Sequence, residues 1–323
     1  MLYDVIKNFN KQFDYEPIIE NKSAWRKFDK FIIAGMGGSH LAADLVKIID
    51  PNLDVLVHTD YGLPQIPETD LKSRLLIASS YSGNTEETLD AYDAARAKGL
   101  SVTAVSVGGK LLADAKKDGI PYVVMPDTGI QPRSALGYSL RAILKLMGEE
   151  KLLAESSGLA YSLDPGVLET AGAALAERLR GFIPIIYSSS RNAPLALNWK
   201  IKINETAKIP AFYNVFPELN HNEMTGFDPA PRTKELSRPF YFILLKDAGD
   251  HPRVQKRMEV MDKIFRKRGF VIEPAELQGK NTLEKIFSAL VLADWVSYYL
   301  AEFYNVDSEQ VPMVEEFKKL INE

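Results

Sequence analysis

One hydroxyl-rich turn, the run Ser80-Tyr81-Ser82-Gly83-Asn84-Thr85, and side chains of the types of Arg133, Glu205, His221 and Lys318 are groups with which this sequence could do chemistry. A carboxylate, an imidazole and an amine can each take or give a proton, and a fixed guanidinium can hold negative charge. The turn offers neutral donors. It follows an uncharged apolar run, Leu75-Leu76-Ile77-Ala78, and precedes a stretch from Thr85 to Lys98 with helical spacing. A strand feeding such a turn and then a helix N-terminus makes an anion site, because the first helical N–H groups are unpaired and sit at the positive end of the dipole. The plainer possibility is an ordinary helix cap, with Asn84 or Thr85 capping and Glu86 and Glu87 in the first turn. A second turn, Gly35-Met36-Gly37-Gly38-Ser39, also follows an apolar strand. There Gly37 and Gly38 would let backbone approach a phosphate and Ser39 would add a hydroxyl. It does not fit G-x-G-x-x-G, because position 40 is His40, so a dinucleotide site is not expected.

Each of the four charged residues has a bland reading beside the chemical one. Glu205 shares a helix face, by spacing, with Trp199, Ile201 and Ile209 or their neighbours, and partial desolvation there would suit a general base. A surface glutamate is the plain alternative. Arg133 follows Pro132 in a turn before a helix, and His221 lies in the polar loop Asn220-His221-Asn222-Glu223. Either could be merely exposed. In the last helix Val311, Val314, Phe317 and Ile321 define an inward face that Lys318 borders, while Lys319 points further outward.

The elements that must position these groups alternate along the chain. Leu2, Val5, Ile6, Phe9 and Phe13 mark an amphipathic helix within residues 1–22. Strands are expected at 31–34, 55–57, 75–78, 102–107 and 122–125, separated by helices that include 39–49 and close with 135–147. A second half repeats the theme. Helices are expected at 167–179, 193–208, 254–268, 282–304 and 313–321, and strands at 183–187, 212–215, 240–245 and 270–272. The fold class is therefore α/β, two tandem doubly wound domains with parallel sheets flanked by helices, spanning 1–150 and 151–323.

Composition bounds the function. The 323 residues suffice for two domains, and 46% hydrophobic with 25% charged residues is globular usage. A net charge of −4 argues against general attraction to nucleic acid or acidic membrane. Cysteine is absent, which removes disulfides and thiolate chemistry, and the four histidines (His40, His58, His221 and His251) have no metal-ligand spacing. No metal and no other cofactor is expected. The N-terminus has no signal-peptide pattern, and no uncharged apolar run is long enough to span a bilayer, so a cytoplasmic protein is expected. The basic stretch 253–268 interleaves Glu259 and Asp262 with Val254, Met258, Met261 and Phe265, which reads as an amphipathic helix. Trp295, Tyr298 and Tyr299 read as core or dimer-surface residues.

Taken together, the turns after Ala34 and after Ser79 resemble those of the sugar-isomerase (SIS) domain family, whose phosphosugar turn is Ser-x-Ser-Gly-x-Thr. Pro132-Arg133-Ser134-Ala135-Leu136-Gly137-Tyr138, Asn204-Glu205-Thr206-Ala207-Lys208, Glu218 through Glu223, and Val311 through Lys318 resemble, in the same order, segments of the bifunctional phosphoglucose/phosphomannose isomerases. The resemblance implies an aldose–ketose isomerase working through a cis-enediol. Ser39, Ser80, Ser82, Thr85 and Gly38 would hold the phosphate. His221 and Lys318 would open the sugar ring, Glu205 would move the proton between C1 and C2, and Arg133 would stabilise the enediolate. It also implies a homodimer with His221 reaching the neighbouring subunit's site. Two departures stand out: His40 where the family commonly has a small residue, and Asp307-Ser308-Glu309-Gln310 where relatives tend to carry Asp-Pro-Thr-Pro. A non-catalytic phosphosugar sensor, or a SIS isomerase of another sugar phosphate, would share the serine turn.

Overall fold

The computed structural model describes residues 1–321. The chain divides into two compact units, Lys7–Asp164, and Met1–Ile6 together with the chain from Pro165 onward.

In the first unit, six strands form one sheet: β1 (Ile19–Glu20), β2 (Lys30–Ala34), β3 (Asp54–His58), β4 (Leu75–Ser79), β5 (Ser101–Ser106) and β6 (Tyr122–Val124). Their order is β1-β6-β5-β4-β2-β3. All pairings are parallel except the short β1, which runs antiparallel to β6. The inner strands read as uncharged apolar runs because helices cover both faces. Phe31, Ile33, Ile77, Ala78 and Val105 have no more than trace exposure. The first parallel strand, β2, lies between β3 and β4, so the order of winding reverses between β2 and β4. Ligands bind open α/β sheets at the carboxyl ends of the strands flanking such a reversal. Both candidate phosphate turns lie there.

The second unit has four parallel strands, β7 (Ile183–Ser189), β8 (Phe212–Phe216), β9 (Phe240–Lys246) and β10 (Val271–Glu276), in the order β10-β9-β7-β8. The same winding recurs, with its reversal between β7 and β9. Helix Thr282–Tyr304 is long and apolar enough to cross a membrane by composition, but 67% of its apolar window is buried inside the fold, which makes it a core helix. Trp295 is fully buried on it, as a core reading of that residue requires.

Several expected boundaries move. The first unit continues past residue 150 because Arg141, itself fully buried, donates to Leu153 O at 3.1 Å, Ser156 Oγ at 2.9 Å and Ser157 Oγ at 2.8 Å. The N-terminal helix ends at Lys7 and a 3-10 turn, Phe9–Asp14, follows. Its apolar residues serve two different cores. Leu2 and Ile6 belong to the second unit, where the Tyr3 ring packs 5.2 Å from that of Trp295, whereas Phe9 and Phe13 are buried in the first. The helix expected over 193–208 is α-helical only through Lys202 and continues as a π-turn, Ile203–Ala207.

Candidate active site

The hydroxyl turn is held by bonds in which its side-chain oxygens mostly accept. Ser80, fully buried, accepts from Gly83 N at 3.0 Å and shares a 2.8 Å bond with the Thr85 hydroxyl. Ser82 Oγ accepts from Asn84 N at 3.2 Å, and Ser39 Oγ accepts from Tyr81 N at 2.9 Å. A hydroxyl that accepts from a backbone N–H keeps its own O–H for another partner. Ser39 and Ser82 are therefore set to donate, as is one member of the Ser80–Thr85 pair.

The plain cap reading does not describe this turn. Thr85 occupies the N-cap position of helix Glu86–Ala97, but its side chain makes no capping bond and is engaged with Ser80 instead. The other candidate cap, Asn84, accepts from Lys110 N at 3.0 Å. The first helical amides are left without a side-chain acceptor, the condition for binding an anion.

A brace that the sequence reading did not single out lies behind the turn, in the loop after β5. Ser106 Oγ donates to Tyr81 O at 3.0 Å, Val107 N to Tyr81 O at 3.0 Å, and Leu111 N to Gly83 O at 2.9 Å. Gly83 has φ +73°, and a Cβ there would sit 1.9 Å from Gly108 O, so both its conformation and its neighbour require glycine. The Gly108-Gly109 pair directly after a strand was the available signal.

Gly38 and Arg133 come together. Arg133 lies in the 3-10 turn Pro132–Ser134 and is only 2% exposed. That turn presses on Gly38, the first residue of helix Gly38–Ile49. Gln12 fixes it from the other side, donating to Ser134 O at 2.7 Å and accepting from Gly137 N at 2.9 Å. The exposed-arginine alternative is thus excluded. His40 turns along its own helix to Asp44, Nδ1 to Oδ2 at 2.7 Å.

Glu205, His221 and Lys318 belong to the second unit. Glu205 is half-buried in the π-turn, a local geometry that recurs at functional sites. Lys208 takes a left-handed conformation at its end and donates Nζ to Glu205 O at 2.5 Å. His221 is exposed, in a loop anchored by Glu223, which accepts from Tyr187 OH and from Asn214 Nδ2. Burial, and then the bond to Glu223, pushes the Tyr187 phenol well above its ordinary range, so Tyr187 stays a donor. The expected inward face of the last helix is not observed. Pro312–Leu320 buries none of its residues, Phe317 is 62% exposed, and Lys318 pairs with Glu315 at 2.8 Å. Lys319 is exposed as well. Amphipathic spacing set the expected face, but spacing cannot say that anything within the unit covers it.

The second unit's own reversal point is chemically unlike the first. The turns after β7 and β9 carry Ser189, Asn192, Asp247 and Asp250, all at most 5% exposed. Ser189 Oγ donates to Asp250 Oδ1 at 2.6 Å, and Lys285 Nζ meets Asp247 Oδ1 at 2.7 Å. Burial pushes the Asp250 carboxyl up, against the Ser189 bond and with help from the Asp247 charge. Burial also opposes ionisation of Asp247, but the Lys285 and Gly249 bonds win and hold it low. A buried Asp247 carboxylate disfavours a phosphate at this second reversal point. Among the described residues no cluster of three or more His, Asp or Glu could hold a metal.

The C-terminal SIS domain of bacterial phospho-glucose isomerase, as a family, matches residues 169–321. A bifunctional phosphoglucose/phosphomannose isomerase of Aquifex aeolicus is 33% identical over 98% of this chain and 97% of its own length. A D-glucosamine-6-phosphate 4-epimerase of Sulfolobus acidocaldarius is 26% identical over 96% of this chain and 94% of its own. Among solved structures, glucosamine-6-phosphate deaminase from Thermotoga maritima superposes with a TM-score of 0.68 over 96% of both chains at 14% identity, a likeness of fold. With SIS-type winding in both units and a near-full-length relative of this similarity, the chain belongs to the bifunctional phosphoglucose/phosphomannose isomerase family.

Proposed function

We propose that this protein interconverts glucose 6-phosphate, and also mannose 6-phosphate, with fructose 6-phosphate through a cis-enediol. The first unit supplies the phosphate anchor: the hydroxyls of Ser39, Ser80, Ser82 and Thr85, with Gly38 keeping the backbone close. It also supplies Arg133 for the charge that develops on the enediolate oxygens. The second unit supplies the groups that move protons. His221 and Lys318 open the ring, and Glu205 takes the proton from C2 and returns it at C1. Each step is a proton transfer, so the residues named account for it without a resident metal or organic cofactor. The active form is a homodimer in which His221 serves the neighbouring copy's site, working in the cytoplasm among phosphorylated sugars. The observation that carries this reading is a helix start without a side-chain cap, at a turn whose hydroxyls accept backbone amides and keep donors to spare, together with the buried Arg133.

The similarity to a glucosamine-6-phosphate epimerase favours a second reading, an enzyme of the same class acting on another hexose phosphate. A coupled assay for fructose 6-phosphate, run separately on glucose 6-phosphate and mannose 6-phosphate with chelator present, separates the two. Product from either supports the proposal. No product from folded protein, with turnover of an amino-sugar phosphate, supports the second reading. No turnover of any of these, with phosphosugar still bound, points to a sensor.

A further inference from the structure

Lys202 is fully buried and Asp294 is 5% exposed, and their side chains meet at 2.5 Å from Nζ to Oδ1 inside the second unit. Burying two charges is costly, and apolar residues of similar volume generally hold a core as well or better. A cation in that position therefore calls for a reason other than stability. Its place suggests one. Lys202 is the last α-helical residue of Ala193–Lys202, and the π-turn that carries Glu205 begins at the next residue. Asp294 lies mid-way along the core helix Thr282–Tyr304. A π-turn has no strong intrinsic preference to form and needs outside ties to hold it. Polar ties of this kind are seen among the described residues. Ala211 N donates to the Asn204 side chain at 2.8 Å, Lys208 Nζ donates to Glu205 O at 2.5 Å, and Lys202 bonds to Asp294. The last is a charged tie to a long, buried element, the helix Thr282–Tyr304, against which the turn also packs.

We infer that the Lys202–Asp294 pair is a positioning device, fixing the start of the π-turn on the core helix so that the Glu205 carboxylate is held in one orientation. The pair touches no substrate; it acts through Glu205. The inference rests on the reading of Glu205 as the base, although the ordering of the turn can be measured without any turnover. A charged tie suits the task because its geometry is directional, where an apolar contact would allow the turn to slide.

The test compares the parent with Lys202→Met/Asp294→Leu, which replaces the pair by apolar volume, and with Asp294→Asn, which keeps shape and an amide oxygen. Hydrogen exchange of the 203–208 amides, kcat, KM and the thermal midpoint are measured for each. In the double variant the thermal midpoint is expected to stay at or above the parent's. Exchange in 203–208 rises at least tenfold, kcat falls at least tenfold, and KM stays within twofold because the phosphate anchor is untouched. Asp294→Asn is expected between the two, with kcat reduced about threefold or more, and it decides the matter if the double variant does not fold. Parent-like exchange overturns the inference, and so does faster exchange with parent-like kcat. If the parent itself turns over none of the sugar phosphates, the assignment of Glu205 fails. Exchange in 203–208 then still decides whether the pair orders the turn.

Discussion

Gly38 and Arg133 share a contact that admits no side chain: a Cβ on Gly38 would stand 2.8 Å from the Arg133 amide nitrogen and 2.7 Å from the Pro132 carbonyl carbon. Helix Gly38–Ile49 begins beside the hydroxyl turn, where Ser39 Oγ accepts from Tyr81 N, so this contact fixes the spacing between that helix start and the Pro132–Ser134 turn. Gly38→Ala must push the Pro132–Ser134 turn outward. The expected result is a loss of about 1–3 kcal/mol in stability, the usual cost of overpacking. A fall in kcat/KM larger than that loss of folded protein explains is also expected. Denaturant melts alongside steady-state kinetics measure both.

The two serines of the turn predict different phenotypes. Ser80 is buried and bonds to the Thr85 hydroxyl and the Gly83 amide, so Ser80→Ala removes both side-chain bonds, leaves the Gly83 amide on the Ser80 carbonyl, and costs about 0.5–1.5 kcal/mol, besides weakening phosphate binding. Ser82 is exposed, so Ser82→Ala should leave stability within about 0.5 kcal/mol of the parent and raise KM alone. Calorimetric titration with a non-isomerisable sugar phosphate, paired with thermal melts, checks the contrast.

Much of this arrangement is legible in the sequence because its signals are strong and local. Apolar uncharged runs such as 75–78, followed by Gly, Ser and Thr, could hardly be anything but inner parallel strands and their turns. The resemblance in ordered segments then suggests the roles. What escaped has physical reasons. One extra residue in a helical turn leaves no periodic mark over five residues, so the π-turn around Glu205 was invisible. The brace at Ser106 and Gly109 acts on a turn far away in sequence, and Gln12 reaches Ser134 across an even longer span. The partition of Leu2 and Ile6 from Phe9 and Phe13 between two cores depends on partners that no local pattern names.

The loop that bears His221 depends on Glu223. Glu223→Gln places an amide N–H against donors from Tyr187 and Asn214, which now share the carboxylate. Losing one such bond costs about 1–3 kcal/mol. The loop is expected to loosen and kcat to fall several-fold while KM changes little. Parent-like kinetics with a lowered thermal midpoint would mean that the anchor serves stability only.

Asp250 gives the fold a pH dependence of definite sign. Its native carboxyl holds a proton to higher pH than the unfolded chain's, whose value is about 3.9. The native state therefore binds more protons above that value, and stability from this group falls as pH rises through the carboxylate range. Asp247 has the opposite sign: its stabilisation is present at neutral pH and is lost on acidification. Asp250→Asn is expected to raise the thermal midpoint at pH 7, with the gain shrinking as pH falls to about 4. Melts from pH 4 to pH 8 follow it.

In the proposed reaction Glu205 moves the proton between C1 and C2. The most direct measurement is deuterium wash-in to fructose 6-phosphate in D2O, with and without Glu205→Gln. Wash-in at C1 is expected from the parent, with turnover and wash-in reduced about 10²–10⁴-fold in the variant, the range a general base contributes. Affinity for a substrate analogue should stay within about threefold, because the phosphate anchor described above is untouched. Parent-like wash-in and turnover by the folded variant would mean that Glu205 is not the base.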